Sequence, residues 1–246
     1  MRAALLFGSA FAALALVGPV TAQDASVSFT PTAALVSNYT FRGISQSQND
    51  PAIQAGINMA APSGIYAGIW GSSINFGESP TLVAAADGGH TELDLLAGIR
   101  PALGPLALDL GAVWYTYPGS DSDLEYTFLE FALGASHAFP NFSLGAKVAY
   151  SPDFFFGSGT AVYFGGNLGV PIPNTTLALT GTVGKQGIDD NAAFGTPDYM
   201  DWSAGATVGW MGLVLGATAV GTDLSEAECF GGTEFCKAQV VFTVAR

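Results

Sequence analysis

The chain has 246 residues, a formal net charge of −13, and 11% charged residues against 49% hydrophobic ones. A soluble globular domain carries about 25% charged residues, so this chain has too few to cover a surface facing water. Nucleic acid is an unfavourable partner, because phosphate binding needs clustered Lys and Arg and only seven such residues occur.

In chain order, Met1-Arg2 supplies a minimal positive start, Ala3 to Val20 is almost wholly apolar, and Val20-Thr21-Ala22 offers small residues ahead of Gln23-Asp24. That order is the pattern of a secretory signal peptide over residues 1–22, with cleavage after Ala22. Residues 23–246 then form one domain. Mean hydropathy is +0.38, yet no second apolar run is long enough for a transmembrane helix. A lipid-facing chain without helical spans must close its backbone hydrogen bonds in a barrel. The expected fold is therefore all-β: a transmembrane antiparallel up-and-down barrel.

Segments of roughly ten residues, punctuated by Gly, Pro, Asn and Asp, read as strands. They are Ser28–Ser45, Ala52–Ala61, Ile65–Asn75, His90–Arg100, Leu106–Tyr117, Leu124–Phe139, Phe142–Ser151, Thr160–Pro171, Thr175–Gln186, Tyr199–Trp210, Gly212–Thr222 and Cys236–Ala245. About twelve strands is an even count, as a bacterial single-chain barrel requires. Tight connections such as Pro62-Ser63-Gly64, Pro140-Asn141 and Met211-Gly212 alternate with longer polar ones. Short periplasmic turns and long outer loops alternate in this way. The stretch from Gln46 to Pro51 is the short exception among the outer loops.

Face alternation is clearest from Trp202 to Trp210, where Trp202, Ala204, Ala206, Val208 and Trp210 oppose Ser203, Gly205, Thr207 and Gly209. The first face suits lipid, with a Trp at each interface. Phe142 to Tyr150 alternates similarly, whereas Leu124 to Leu133 is irregular and suggests a bulge. Placing a Lys or Arg on the lipid face at mid-depth costs about 2–4 kcal/mol. Arg42, Glu92, Asp94, Asp109, Glu130 and Lys147 are therefore expected in the lumen, lining a pore or locking a plug as ion pairs. Asp121, Asp123, Asp189, Asp190, Asp198, Asp223, Glu226, Glu228 and Glu234 crowd the longer loops. They either enrich cations at a mouth or simply keep the exterior wet.

Cys229 and Cys236 are the only cysteines, and in an exported protein they are expected to form one disulfide closing an outer loop. Zinc is the weaker reading, because no His lies nearby to complete a ligand set. No phosphate loop, nucleotide fingerprint or His-rich spacing occurs, so neither a metal nor a cofactor is implied.

One stretch is distinctive. Ser37-Asn38-Tyr39-Thr40-Phe41-Arg42-Gly43-Ile44-Ser45-Gln46-Ser47, followed by Pro51-Ala52-Ile53-Gln54-Ala55-Gly56, resembles the opening of TorF-type porins. That group is also catalogued as conserved hypothetical outer-membrane proteins of proteobacteria. Gly64-Ile65-Tyr66-Ala67-Gly68-Ile69-Trp70-Gly71-Ser72, Glu92-Leu93-Asp94, Val113-Trp114-Tyr115-Thr116-Tyr117-Pro118 and Tyr150-Ser151-Pro152-Asp153-Phe154-Phe155 continue the likeness, which reaches to about Gly187. The resemblance implies an outer-membrane barrel of porin type with no defined solute, and it supplies no catalytic residues. Within the motif, Arg42-Gly43 is either an arginine turned into the lumen beside a tight turn or a plain strand end anchored by Tyr39 or Phe41. The second is the simpler expectation. Many outer-membrane barrels end on an aromatic residue, whereas this chain ends Val241-Phe242-Thr243-Val244-Ala245-Arg246. Phe242 is then the substitute for recognition by the assembly machinery.

Three functions remain in view, all placing the chain in a bacterial outer membrane in contact with its lipid. The first is a channel for passive diffusion of ions or small polar solutes, cation-preferring if the acidic loops form its mouth. The second is a plugged structural or surface-interaction barrel. The third is a lipid-acting enzyme, which needs a nucleophile beside a base. Only His90 and His137 are available, and Ser136 and His137, adjacent on a strand, point to opposite faces.

Overall fold

In a computed structural model of the protein, residues 26–76 and 88–246 are described. The expected leader at residues 1–22 and most of the loop from Phe76 to Gly89 lie outside the described residues. Twelve strands form the wall: β1 (Ser28–Val36), β2 (Ala52–Ala60), β3 (Ile65–Ser73), β4 (Thr91–Ile99), β5 (Leu106–Thr116), β6 (Phe128–Ala138), β7 (Ser143–Ser151), β8 (Ala161–Pro171), β9 (Leu177–Ile188), β10 (Tyr199–Trp210), β11 (Leu213–Thr222) and β12 (Gln239–Ala245). Each pairs antiparallel with the next. β1 closes on β12 through Ala34↔Ala245, Leu35↔Val244 and Val36↔Thr243. With the ring closed, the wall's backbone groups bond strand to strand, as a bilayer requires. No helix among the described residues is long and apolar enough to cross a membrane.

The outer face is apolar. Phe29, Leu35, Ile57, Ile69, Leu95, Leu110, Leu133, Leu144, Phe164, Leu179, Val208 and Phe242 all project outward and are exposed. Trp202 and Trp210 face outward near opposite ends of β10, the positions expected of two interfacial girdles. Such a surface suits contact with lipid. The irregular stretch before Leu133 holds no bulge. β6 begins only at Phe128 and pairs without interruption from Phe128↔Tyr115 to Ser136↔Ala107. The residues before it form a short 3-10 turn, Ser122–Leu124.

The first expected strand is a correction. Ser28–Ser45 does not continue as wall: β1 stops at Val36, and residues 37–51 enter the barrel. There, Thr40 and Phe41 pair with Ser45 and Ile44 in a separate hairpin. The apparent short outer loop is therefore one of the longer ones. The polar, small-residue run Ser45-Gln46-Ser47 has no apolar face for lipid, but it suits a hairpin whose backbone is bonded by neighbouring side chains.

Candidate functional site

The inserted hairpin turns at Phe41-Arg42-Gly43-Ile44. Arg42 (φ 47°) and Gly43 (φ 80°) both lie in the left-handed region, the requirement of a two-residue type I′ turn. A Cβ on Gly43 would sit 2.7 Å from the Gly221 carbonyl oxygen and 2.7 Å from Thr222 Cγ2, so the tip abuts the loop end of β11. Gly43→Ala combines this backbone clash with left-handed strain of about 1–3 kcal/mol. It is expected to lower the urea midpoint of the refolded barrel.

Asn38 and the serines secure the stem. Ser45 and Ser47 each donate their hydroxyl to Asn38 Oδ1, at 2.7 and 2.9 Å, and Asn38 Nδ2 donates to Gln239 Oε1 at 2.7 Å. Tyr39 is fully buried, meets Trp70 edge-on at 5.5 Å, and donates its hydroxyl to Glu92 Oε1 at 3.2 Å. The motif Ser37 to Ser47 is thus the hairpin with its fastenings.

At the tip, Arg42 crosses the lumen. Its Nη2 donates to both oxygens of Glu130 on β6, at 2.5 and 2.8 Å, and Nη1 donates to Gln186 Oε1 on β9 at 2.5 Å. The guanidinium also lies 4.1 Å from the Tyr163 ring centroid and 4.7 Å from that of Phe41. Glu130 is 1% exposed and Gln186 is fully buried. The arginine is therefore turned into the lumen beside a tight turn, and the simpler expectation of a strand end is corrected. A planar, permanently charged group with several donors suits such a crossing better than a lysine would.

The other expected lumen residues divide by height. Glu92 and Asp94 share the inner face of β4 near its loop end, opposite Leu93 and Leu95. Lys147 on β7 faces inward with its Nζ 5.0 Å from the Tyr163 ring. Asp109 also faces inward but lies apart, toward the turn end. There it accepts from Arg100 Nε at 2.9 Å and from the Tyr66 hydroxyl at 2.7 Å. Five of the six thus gather in the loop-side half and one does not. Sequence reasoning missed Gln186, Tyr115, Tyr163 and Asp201. Asp201 accepts from Tyr163 at 3.3 Å and lies in the best-alternating strand, opposite Met200 and Trp202, where its inward direction was legible.

Below this layer the inner wall is lined by Gly, Ser and Thr. Thr30, Asn58 and Thr182 point inward yet are exposed, and Thr180, Ser203 and Thr218 are half-buried. The turn-side half thus presents small polar side chains to the interior, and some of them reach solvent. Above the layer, Tyr117, Tyr126, Phe154, Phe155 and Phe194 pack among the loops, with Tyr126 stacked on Phe155 at 4.5 Å. Ser136 faces inward and His137 outward, where its Nδ1 meets the Pro105 carbonyl oxygen at 2.8 Å. The pair is not assembled for catalysis.

Cys229 and Cys236 are disulfide-bonded and buried. Within the loop they close, the Phe235 carbonyl oxygen accepts from Ser45 N at 2.9 Å, and Phe230 N donates to the Gly195 carbonyl oxygen at 3.1 Å. The bridge therefore fixes a loop that touches both the inserted hairpin and the neighbouring outer loop. Just before it, Ser225 gives its N–H and its hydroxyl to Glu228, which holds that carboxyl below its usual range. Replacing both cysteines with serine is expected to lose about 2–3 kcal/mol. Faster proteolytic nicking between Ser225 and Lys237, with the barrel intact, is the observation that checks it.

A closed twelve-strand ring with an apolar exterior, a largely polar interior and a loop folded into the lumen defines a porin-like β-barrel. The chain belongs to the family Gcw_chp, described as a bacterial protein of unknown function, whose model matches residues 21–246. Its fold is similar to the KdgM porin, at 5% identity and a TM-score of 0.55, covering 89% of this chain and 96% of that one. It is also similar to the NanC porin, at 10% identity and a TM-score of 0.54, covering 88% and 98%. No curated protein matches it in sequence.

Proposed function

We propose that this chain, after removal of residues 1–22, is an outer-membrane channel for passive diffusion of ions or small polar solutes, with a preference for cations. The observation that carries the reading is the set of inward-facing polar residues that reach solvent on the turn side, Thr30, Asn58 and Thr182, below a constriction built from an inserted hairpin and ionisable side chains. A purely structural barrel has no need of a water-accessible lumen. The KdgM and NanC structures are each named as porins, and the opening motif's resemblance to TorF-type porins points the same way. The cation preference rests on charge. Glu92, Asp94, Glu130 and Asp201 face Arg42 and Lys147 around the constriction, and acids dominate the outer loops. An acidic mouth raises the local cation concentration.

Planar-bilayer recording of the refolded protein tests this. Discrete conductance steps are expected, with a reversal potential displaced toward that of the cation in a potassium chloride gradient. A silent bilayer containing correctly folded protein would overturn the channel and favour the plugged barrel, for which the buried Arg42–Glu130 crossing is the supporting feature. Displacement toward the chloride potential would remove only the cation preference.

A further inference from the structure

One side chain on the outward face of the wall does not match its surroundings. Lys185 lies on β9 between Gly184 and Gln186, which are buried toward the interior, and it is itself exposed on the outer side with Val183. Among the described strand residues it is the only Lys, Arg, Asp or Glu that points outward; the others face the lumen. No hydrogen bond or ion pair engages its amine among the described residues.

The sheet register fixes its height. Lys185 pairs across the sheet with Met200 on β10, two residues nearer the loops than Trp202 of the loop-side girdle. A lysine on a barrel exterior is penalised at mid-depth, and the penalty fades toward the interface, so the bilayer tolerates the charge at this level. Phe164 and Met200 stand directly across from it on the two neighbouring strands, 61% and 45% exposed. Val183, 50% exposed, stands below it on the same strand. The amine therefore sits at the top of an apolar strip. Beyond it the rim is acidic: Asp189 and Asp190 follow β9, and Met200 N donates to the Asp223 carboxylate at 2.8 Å. An anionic headgroup is repelled by those carboxylates and attracted at the lysine. A charge at the interface above an apolar strip complements an anionic lipid, whose phosphate lies at that level with its chains running beside the wall. A free anion would meet the amine but leave the strip unmatched.

We infer that Lys185 is the landing point for one phosphate-bearing lipid of the outer leaflet, with the amine on its phosphate and Phe164, Met200 and Val183 against its acyl chains. The inference rests on the outer-membrane reading above and not on conduction.

The full mature chain, refolded in a non-ionic detergent, is incubated with lipid A, a phosphorylated glycolipid, or separately with phosphatidylcholine, and bound lipid is counted by native mass spectrometry. Lys185→Met is expected to retain about fivefold less lipid A than the wild type, the worth of one lysine near an anionic surface. Its retention of phosphatidylcholine is expected to be unchanged. The methionine replaces a charge on an apolar exterior, so folding is not put at risk. Lys185→Arg restores lipid A retention, and added sodium chloride erodes the difference between wild type and Lys185→Met.

Equal lipid A retention in wild type and Lys185→Met overturns the site, as does an equal fall for phosphatidylcholine. Displacement of lipid A by inorganic phosphate, with Phe164→Ala/Met200→Ala retaining as much as the wild type, also overturns it and leaves an exposed charge that takes any anion. A barrel that is silent in bilayers yet retains lipid A through Lys185 would remove the channel and support the lipid site.

Discussion

Replacing Arg42 with alanine is expected to lower the stability of the refolded barrel by about 3–5 kcal/mol, the usual cost of removing one partner of a buried ion pair. Most of that cost comes from what remains: a carboxylate on Glu130 that is 1% exposed with its counter-charge gone, and Gln186 Oε1 without its donor. The hairpin tip would then hold its left-handed turn with nothing across the lumen to fix it. In bilayers, the same variant should show larger and noisier conductance steps than the wild type, because the hairpin no longer stays across the path. The double variant Arg42→Met/Glu130→Leu separates the two effects. It removes both charges, should regain most of the stability, and should keep a narrow path. Equal destabilisation in the single and double variants would mean that the crossing is not an ion pair in the sense described.

The second large effect concerns the opposite face of the wall. Leu133 lies at the centre of β6, projects outward and is 48% exposed. Leu133→Arg is expected to cost about 2–4 kcal/mol in lipid vesicles, the value for a cation at mid-depth of an outer-membrane barrel. Thr182→Arg, on the inner, water-accessible face of β9, is expected to cost much less, because its guanidinium meets solvent rather than acyl chains. Urea titrations in vesicles measure both. Should the two variants prove equally stable, the exterior would not be facing lipid at all. That comparison tests the assignment of faces more directly than any functional assay.

The two variants also mark the boundary between local and distant information in this chain. The wall was legible because strand geometry is periodic: one side chain in every two meets the same medium. The faces of Trp202 to Trp210 and Phe142 to Tyr150 could be read as they stand. The same rule put Glu92, Asp94, Asp109, Glu130 and Lys147 inside, since the bilayer penalises the alternative. Where periodicity was weak the reading slipped. The run from Leu124 looked like a bulged strand because its first residues belong to a loop whose aromatic side chains pack above the lumen. The motif Ser37 to Ser47 looked like the end of a strand because nothing local distinguishes a chain that stops from one that turns inward.

Composition and alternation alone determined that the backbone closes into a ring of about twelve strands, that its exterior is apolar, and that most of its ionisable strand residues point inward. Both properties belong to single segments, and each segment meets the same two media wherever it stands in the ring. Only the tertiary structure decided who meets whom across the lumen: Arg42 with Glu130 and Gln186, Tyr39 with Glu92, Ser45 with Phe235, and Asp109 far from the rest beside Arg100. These partners lie up to 190 residues apart in the chain. Their meeting depends on the order and register of all twelve strands together, which no segment carries by itself.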